Sequence, residues 1–299
     1  MTAIWLLLAL AVGVYLLAVL EHWASTNRLR PTAPIFAALS LLGSESLLPR
    51  KPDQLFFETG PVLLLIAALL SLAIIPLTPD LIVTDLATGA LFFNAALSYV
   101  LVALIMAGWG PDGAYGMIGG WRFLGQLIAY AMLVVMPITA VAMRAESLST
   151  IEIVLSQEGL WNIAYQPLGF ALFLGAGMAM AFVPPFDLPI ASGDLAGGVQ
   201  AEYTGVRRLV FRLGRLVLVL SVASAATVFY LGGWLGPWLP GWAWSGVKIL
   251  AVAAVMLAGG RLFPRVSEGG LLAWCWKLGI PLALANILLV GILVLVVPL

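Results

Sequence analysis

Seven stretches of this chain run for twenty residues or more without one Asp, Glu, Lys or Arg: 1–20, 59–79, 86–111, 123–143, 159–186, 216–247 and 278–299. About twenty mostly apolar residues are what an α-helix needs to cross the hydrocarbon of a bilayer. An eighth stretch, 249–260, is shorter, but Lys248 and Arg261 flank it, and their long stems let the charges reach the interfaces. The pattern predicts eight spanning helices. None of the stretches alternates apolar and polar residues with period two, which disfavours a β-barrel. The expected fold class is therefore an all-α integral membrane protein, a bundle of eight transmembrane helices forming one membrane domain over 1–299. Stretch 1–20 has no basic leader, and Glu21-His22-Trp23 offers no small-residue cleavage site, so it reads as a retained helix rather than a signal peptide.

Composition narrows the chemistry. Charged residues make up 9% of the chain, where a soluble domain carries about 25%. The 14 basic and 14 acidic residues cancel, so the balance points to no nucleic-acid partner. One cysteine, Cys275, excludes a disulfide framework and an iron–sulfur cluster held by this chain alone. One histidine, His22, argues against a haem or a histidine-rich metal centre. His22 reads as a lone interfacial residue, Cys275 as packing between Trp274 and Trp276, and Asp80 and Asp85 as loop caps. No metal site and no cofactor is expected in this chain.

Eight spans put loops 21–58, 107–122, 183–215 and 261–277 on one side. Those loops hold 12 of the basic residues, and only Arg144 and Lys248 fall on the other side. The asymmetry marks the first side as cytoplasmic and places both termini outside the cytoplasm. Residues 233–244, with four tryptophans among glycine and proline, then form an outer interfacial belt. Within loop 21–58, Pro34–Leu48 carries Ile35, Ala38, Leu39 and Leu42 at helical spacing and is too short to span. It reads as an amphipathic helix lying in the interface. In loop 183–215, Pro184-Pro185-Phe186-Asp187-Leu188-Pro189 cannot continue a straight helix.

The acids of that second loop are Asp187, Asp194 and Glu202, the only carboxylates between 159 and 267. Asp187, after Pro185, reads as a helix N-cap on the residues alone. Asp194 and Glu202 stand eight residues apart and would share a face if helical; the plainer reading is solvated loop carboxylates that meet a partner. Arg122, Gln126 and Tyr130 recur every four residues and would line one stripe of a helix. Arg122 fits a snorkelling helix end, and Gln126 and Tyr130 fit interhelical hydrogen bonding as readily as substrate contact. Arg28 and Arg30 fit inside-positive anchors.

Several of these segments resemble one family. Pro185-Phe186-Asp187-Leu188-Pro189, followed at the right spacing by Glu202-Tyr203-Thr204-Gly205, is similar to the P-F-D-L-P-E-A-E … E-Y-S-G signature of the H-type membrane subunit of respiratory complex I. Pro52 to Pro61 (PDQLFFETGP) resembles that family's lead-in to its second helix. Ala107-Gly108-Trp109 and Gly119 to Gln126 (GGWRFLGQ) resemble its A-G-W and G-A-L-R-A-A-A-Q. The matches cover roughly residues 20–215.

The resemblance implies a membrane-anchor subunit of an NADH:quinone oxidoreductase-like complex in the bacterial cytoplasmic (inner) membrane. Such a protein docks soluble electron-transfer subunits on the cytoplasmic side and sits beside antiporter-like and small membrane subunits. Its loops wall a quinone chamber that leads into an ion path. On that reading Asp187, Asp194, Glu202, Tyr203, Arg122, Gln126 and Tyr130 are the chamber or path candidates, and Arg28, Arg30, Arg207 and Arg208 the docking candidates. FMN, iron–sulfur clusters or a NiFe centre would belong to partner subunits, and quinone would be a substrate. The family's glutamates after P-F-D-L-P fall here on Ile190, Ser192 and Asp194, its fourth-helix glutamate falls on Ala131, and its E-x-N-R falls on Met180 to Val183. Buried acids in a membrane persist mainly for function, so the scaffold is kept while the proton wire is cut back. Two other roles stay open: the equivalent anchor of a membrane-bound energy-converting hydrogenase or ferredoxin-linked complex, and a non-catalytic docking subunit for antiporter-like partners.

Overall fold

The computed structural model describes residues 2–296. Residues 1 and 297–299, the extremities of the first and last charge-free stretches, lie outside the described residues. The chain runs through α1 (Thr2–Thr26), α2 (Ala33–Gly43), α3 (Gln54–Ala73), α4 (Gly89–Trp109), α5 (Ala114–Ala145), α6 (Thr150–Leu155) and α7 (Asn162–Tyr165). There follow α8 (Pro167–Met180), α9 (Ser192–Leu195), α10 (Gly205–Tyr230), α11 (Gly241–Leu262), α12 (Glu268–Trp274) and α13 (Ile280–Val296). A π-turn over Cys275–Gly279 joins α12 to α13 in one rod.

Among the described residues, seven helices are long and apolar enough to cross a membrane: α1, α3, α4, α5, α10, α11 and the α12–α13 rod. The span expected from 159–186 is a broken element instead. Gln166, at φ −140° and ψ 69° ahead of Pro167, leaves the helical range and separates α7 from α8. At the other end Phe182 takes a positive φ of 39° before Pro184 and Pro185. The 14 residues of α8 reach about 21 Å, short of the ~30 Å hydrocarbon core.

Stretch 216–247 is also divided. Gly232 and Gly233 adopt φ of +69° and +47°, which ends α10 at Tyr230. Pro240 precedes the first residue of α11. Trp242 and Trp244 thus begin a helix rather than lying in an outer loop, and Lys248 lies inside α11 instead of marking its edge. The interfacial helix is shorter than Pro34–Leu48: α2 ends at Gly43, and none of its residues is buried. Its Ile35, Phe36, Leu39 and Leu42 stay exposed while it rests against α1 and the start of α10.

The core gathers on α10, the most enclosed of the spans, against α3, α8 and α11. Its Ser221, Ala223, Ser224, Ala225 and Ala226 are all buried, and such small residues let helix backbones approach closely in lipid. Ser71 on α3 and Ser221 on α10 share a hydrogen bond of 2.8 Å across that contact. In membrane proteins such interhelical bonds are worth about 0.6 kcal/mol. On the far side of α3, a methyl group on Gly60 would lie 2.8 Å from the Ala107 backbone, so α4 seats against α3 only where Cβ is absent. Gly108 faces the Gly116 carbonyl in the same way, which closes α4 against α5.

Candidate functional site

Loop 181–204 folds over the first turns of α5 at one end of the bundle. Its backbone turns through a short helical turn at Leu188–Ile190, α9, and a second turn at Gly198–Gln200. Gly198 takes φ +53°, and a Cβ there would collide with the Pro189 carbonyl, so only glycine fits. Under the loop a methyl on Gly119 would lie 2.6 Å from that same Pro189 oxygen, which brings α5 directly against the loop backbone.

The α5 stripe meets this loop. Gln126 is fully buried, and its Nε2 donates to Ala179 O at 2.7 Å and to Phe186 O at 2.8 Å, tying α5 to the end of α8. Arg122 reaches Asp194 at 3.6 Å. Asp194 is largely exposed, and a pair of that kind is worth about 0–1 kcal/mol. Tyr130, one turn deeper, is buried, and neither its hydroxyl nor Gln126 Oε1 has a protein partner.

Asp187 is the buried acid of the loop. It precedes the Leu188–Ile190 turn but makes no side-chain capping bond, so the N-cap reading does not hold. Arg265, beyond α11, meets it instead at 3.0 Å, and Val266 N donates to Pro185 O at 3.2 Å, so residues 265–266 clasp the loop from the other side. Burial raises the Asp187 carboxyl above its ordinary range, the Arg265 guanidinium pulls it back, and the Asp194 carboxylate adds a smaller upward push.

Asp194 and Glu202 do not share a helical face, because α9 ends at Leu195 and a turn with two positive-φ glycines follows. Glu202 is exposed, beside Gly113. Tyr203 is a pillar of the core. Its hydroxyl donates to Phe57 O at 3.3 Å and Ala107 O at 3.1 Å, and its ring stacks on Phe57 at 4.7 Å. Burial raises its phenol well above the ordinary range. Arg207 is bound to Glu58 and to Ser46 and lies over the Phe57 ring at 5.2 Å, so it serves the α3–α10 contact rather than standing free. Arg28, Arg30 and Arg208 are exposed.

The sequence model described as NADH dehydrogenase matches residues 31–291, a run that holds the Asp187 loop and all of α5 and α10. The chain belongs to this family. It is 39% identical over 198 residues to the second of the H-type subunits of NADH-quinone oxidoreductase in Rhodopseudomonas palustris, a match covering 66% of this chain and 62% of that protein. The first H-type subunit from another strain of the species is 40% identical over the same length. Its counterpart in Geobacter metallireducens is 39% identical over 197 residues, 66% of this chain and 60% of that one. The chain spans about three fifths of the length of these curated relatives.

In this NADH dehydrogenase family member, several charged contacts escaped sequence reasoning. Glu21 on α1 pairs with Arg215 on α10. Arg261 donates to the Trp23 and Ala24 carbonyls, capping the C-terminal end of α1, where a cation is favoured. Arg144, expected in a loop, and Lys248, expected at an interface, are both buried. Their one visible signal is position: each falls within a helix length of an apolar run and has no acid at i±4. A hollow of about 450 Å³ lies on α13, lined by Met143, Ile287, Leu288 and Leu295, and carries none of the candidate residues.

Proposed function

We propose that this chain is the membrane-anchor subunit of a complex-I-type oxidoreductase. Its loop 181–204, seated on α5, forms one wall of a quinone chamber, and the exposed cations at the same end dock a soluble electron-transfer arm. The observation that carries the reading is the convergence of Asp187, Arg265, Arg122, Asp194 and Gln126 at the end of the bundle where Arg28, Arg30 and Arg208 are exposed. The relatives are named as H-type subunits of NADH-quinone oxidoreductase, and that name supplies the partner class and the substrate. FMN and iron–sulfur clusters belong to the arm, and this chain carries no electrons.

Within the site the residues divide by chemistry. Gln126 spends both amide hydrogens on backbone carbonyls, so it shapes the wall. The Tyr130 hydroxyl and the Asp187 carboxylate remain as groups able to donate or take a proton. Asp187, with its raised proton affinity, is the first acid of any ion path starting here, and Asp194 and Glu202 lie outside it as exposed groups. A second reading, the equivalent anchor of an energy-converting hydrogenase or ferredoxin-linked complex, is favoured by one observation: Tyr203 is locked into the α3–α4 seam and leaves no phenol at the loop surface.

Purification of the tagged chain in mild detergent tests the role. Co-elution of flavin and iron–sulfur subunits supports it. Co-elution of a NiFe protein selects the second reading, and membrane subunits alone refute the docking role. A photoreactive quinone that crosslinks to loop 181–204 or α5 supports the chamber, and labelling confined to other helices removes it.

A further inference from the structure

At the end of the bundle opposite loop 181–204, residues 149–166 fold across the helix ends as a lid. Thr150 Oγ1 donates to Ile74 O at 2.9 Å, Gln157 Nε2 to Val228 O at 2.9 Å, and Asn162 Nδ2 to Phe229 O at 2.8 Å. The lid is thus tied to the C-terminal ends of α3 and α10. Gln157 Oε1 accepts from the backbone of Asn162 at 3.2 Å and of Gly232 at 3.0 Å, which fastens lid and turn together.

Two buried cations grip three consecutive lid residues. Arg144 Nη1 donates to Leu160 O at 2.9 Å and Asn162 Oδ1 at 2.5 Å, with its guanidinium 4.5 Å above the Tyr165 ring. Lys248 Nζ lies 4.2 Å above the Trp161 ring and donates to Leu231 O at 2.6 Å, Gly233 O at 3.0 Å and Leu235 O at 2.7 Å. Neither cation takes part in any of the ion pairs among the described residues. The acids of this end, Asp80, Asp85, Glu146, Glu152 and Glu158, are all exposed or half-buried.

What holds the charges in place is neutral oxygen: Lys248 donates to three carbonyls of the turn that follows α10, and Arg144 to a lid carbonyl and the Asn162 amide oxygen. Those oxygens carry partial negative charge and solvate a cation as water would. Backbone dipoles and aromatic faces stabilise the charges without cancelling them. The loop end differs: there Arg122, Arg207, Arg215 and Arg265 each face a carboxylate.

We infer that the lid is an electrostatic seal, in which Arg144 and Lys248 set a fixed positive barrier against protons and metal cations at the α10 C-terminal end of the bundle. Fixed positive groups at a constriction exclude cations and protons. The buried Tyr130 hydroxyl of the interior then communicates with the loop end alone.

The test is passive proton leak in vesicles that hold the assembled complex and an internal pH-sensitive dye, after an external pH jump with valinomycin present. Lys248→Gln and Arg144→Gln keep a donor and remove the charge, while Lys248→Arg and Arg144→Lys keep the charge. The seal predicts a leak raised about tenfold in the double Gln variant and unchanged in the charge-keeping pair. If the double variant does not assemble, Asn162→Asp puts a carboxylate beside Arg144 with both cations present, and an increased leak is again expected. An unchanged leak in the double Gln variant, or in Asn162→Asp when that variant stands in for it, overturns the inference. So does an equal leak in the charge-keeping variants, because packing rather than charge would then make the seal.

Discussion

Replacing Arg265 by Met removes the one cation that faces Asp187 and leaves the carboxylate buried. Removing one member of a fully buried pair costs about 3–5 kcal/mol, whereas exposed pairs are worth about 0–1 kcal/mol. Here Asp187 is buried, but half of the Arg265 side chain meets solvent, so the discounted cost is about 2 kcal/mol. At roughly 2–4 °C per kcal/mol for a chain of this size, the melting temperature in detergent should fall by about 4–8 °C at pH 7. The sign of the pH dependence follows from the raised carboxyl. A native acid that holds its proton more tightly than the unfolded chain contributes stability that is fully present below its unfolded value of 3.8. That contribution is lost as pH rises through the higher folded value. Taking away Arg265 pushes the folded value further up, so the deficit against wild type should widen with rising pH and close below the carboxylate range. Asp187→Asn removes the charge and keeps the shape, and the double variant Asp187→Asn, Arg265→Met should recover most of the loss. Thermal unfolding followed by tryptophan fluorescence across pH 4–8 reads all four proteins. A deficit that does not change with pH, or that Asp187→Asn fails to relieve, refutes the reasoning.

Gln126→Leu should leave the Phe186 carbonyl without its donor and the Ala179 carbonyl with the Phe182 N–H alone, at about 1–3 kcal/mol, and hydrogen exchange in loop 181–204 should speed up before the rest of the bundle. Tyr203→Phe keeps the stack on Phe57 and loses two long hydrogen bonds, so a cost of about 1 kcal/mol is expected with partner co-purification unchanged. Gly198→Ala should block folding of the loop, seen as loss of assembled complex on native gels, because both φ and space exclude Cβ. Charge reversal at the exposed Arg28, Arg30 and Arg208 should release the soluble subunits. Arg207→Ala should weaken the α3–α10 contact instead, read as a lower melting temperature with the arm still bound.

The spans were legible because hydropathy is local: α1, α3, α4, α5 and the α12–α13 rod each take most of their length from a charge-free run. Of the loop expected over 183–215, the part to residue 204 was legible, because Pro184, Pro185 and Pro189 interrupt any helix. Residues 205–215, with Arg207, Arg208, Arg212 and Arg215, are instead the first turns of α10, where the charges masked the helix. Pairings across the chain were not. Glu58 and Arg207 lie 149 residues apart, and nothing in the periodicity of α3 or α10 couples them. The family resemblance drew attention to Tyr203 as a site residue, but the pattern carries no sign of whether a phenol turns toward a chamber or into the α3–α4 seam. Arg144 was expected in an outer loop and Lys248 at an interface because an unpaired cation is costly inside a bundle. Sequence does not display the backbone carbonyls that remove this cost, since every residue has one.

The length of α5 has a consequence for where its loop sits. Its 32 residues extend about 48 Å, against a hydrocarbon core of about 30 Å. Even at 40°, the upper end of the usual tilt range, about 37 Å is measured along the membrane normal, so more than one turn stands clear of the hydrocarbon. The far end is held under the lid through Arg144, so the excess emerges at Arg122, beneath loop 181–204. The first turns of α5 are therefore a pedestal, and its height above the lipid depends on the thickness of the host membrane. Short-chain lipids lift the loop toward the aqueous phase, and long-chain lipids draw it down among the headgroups, so bilayer thickness becomes a variable in how far this end stands clear of the lipid.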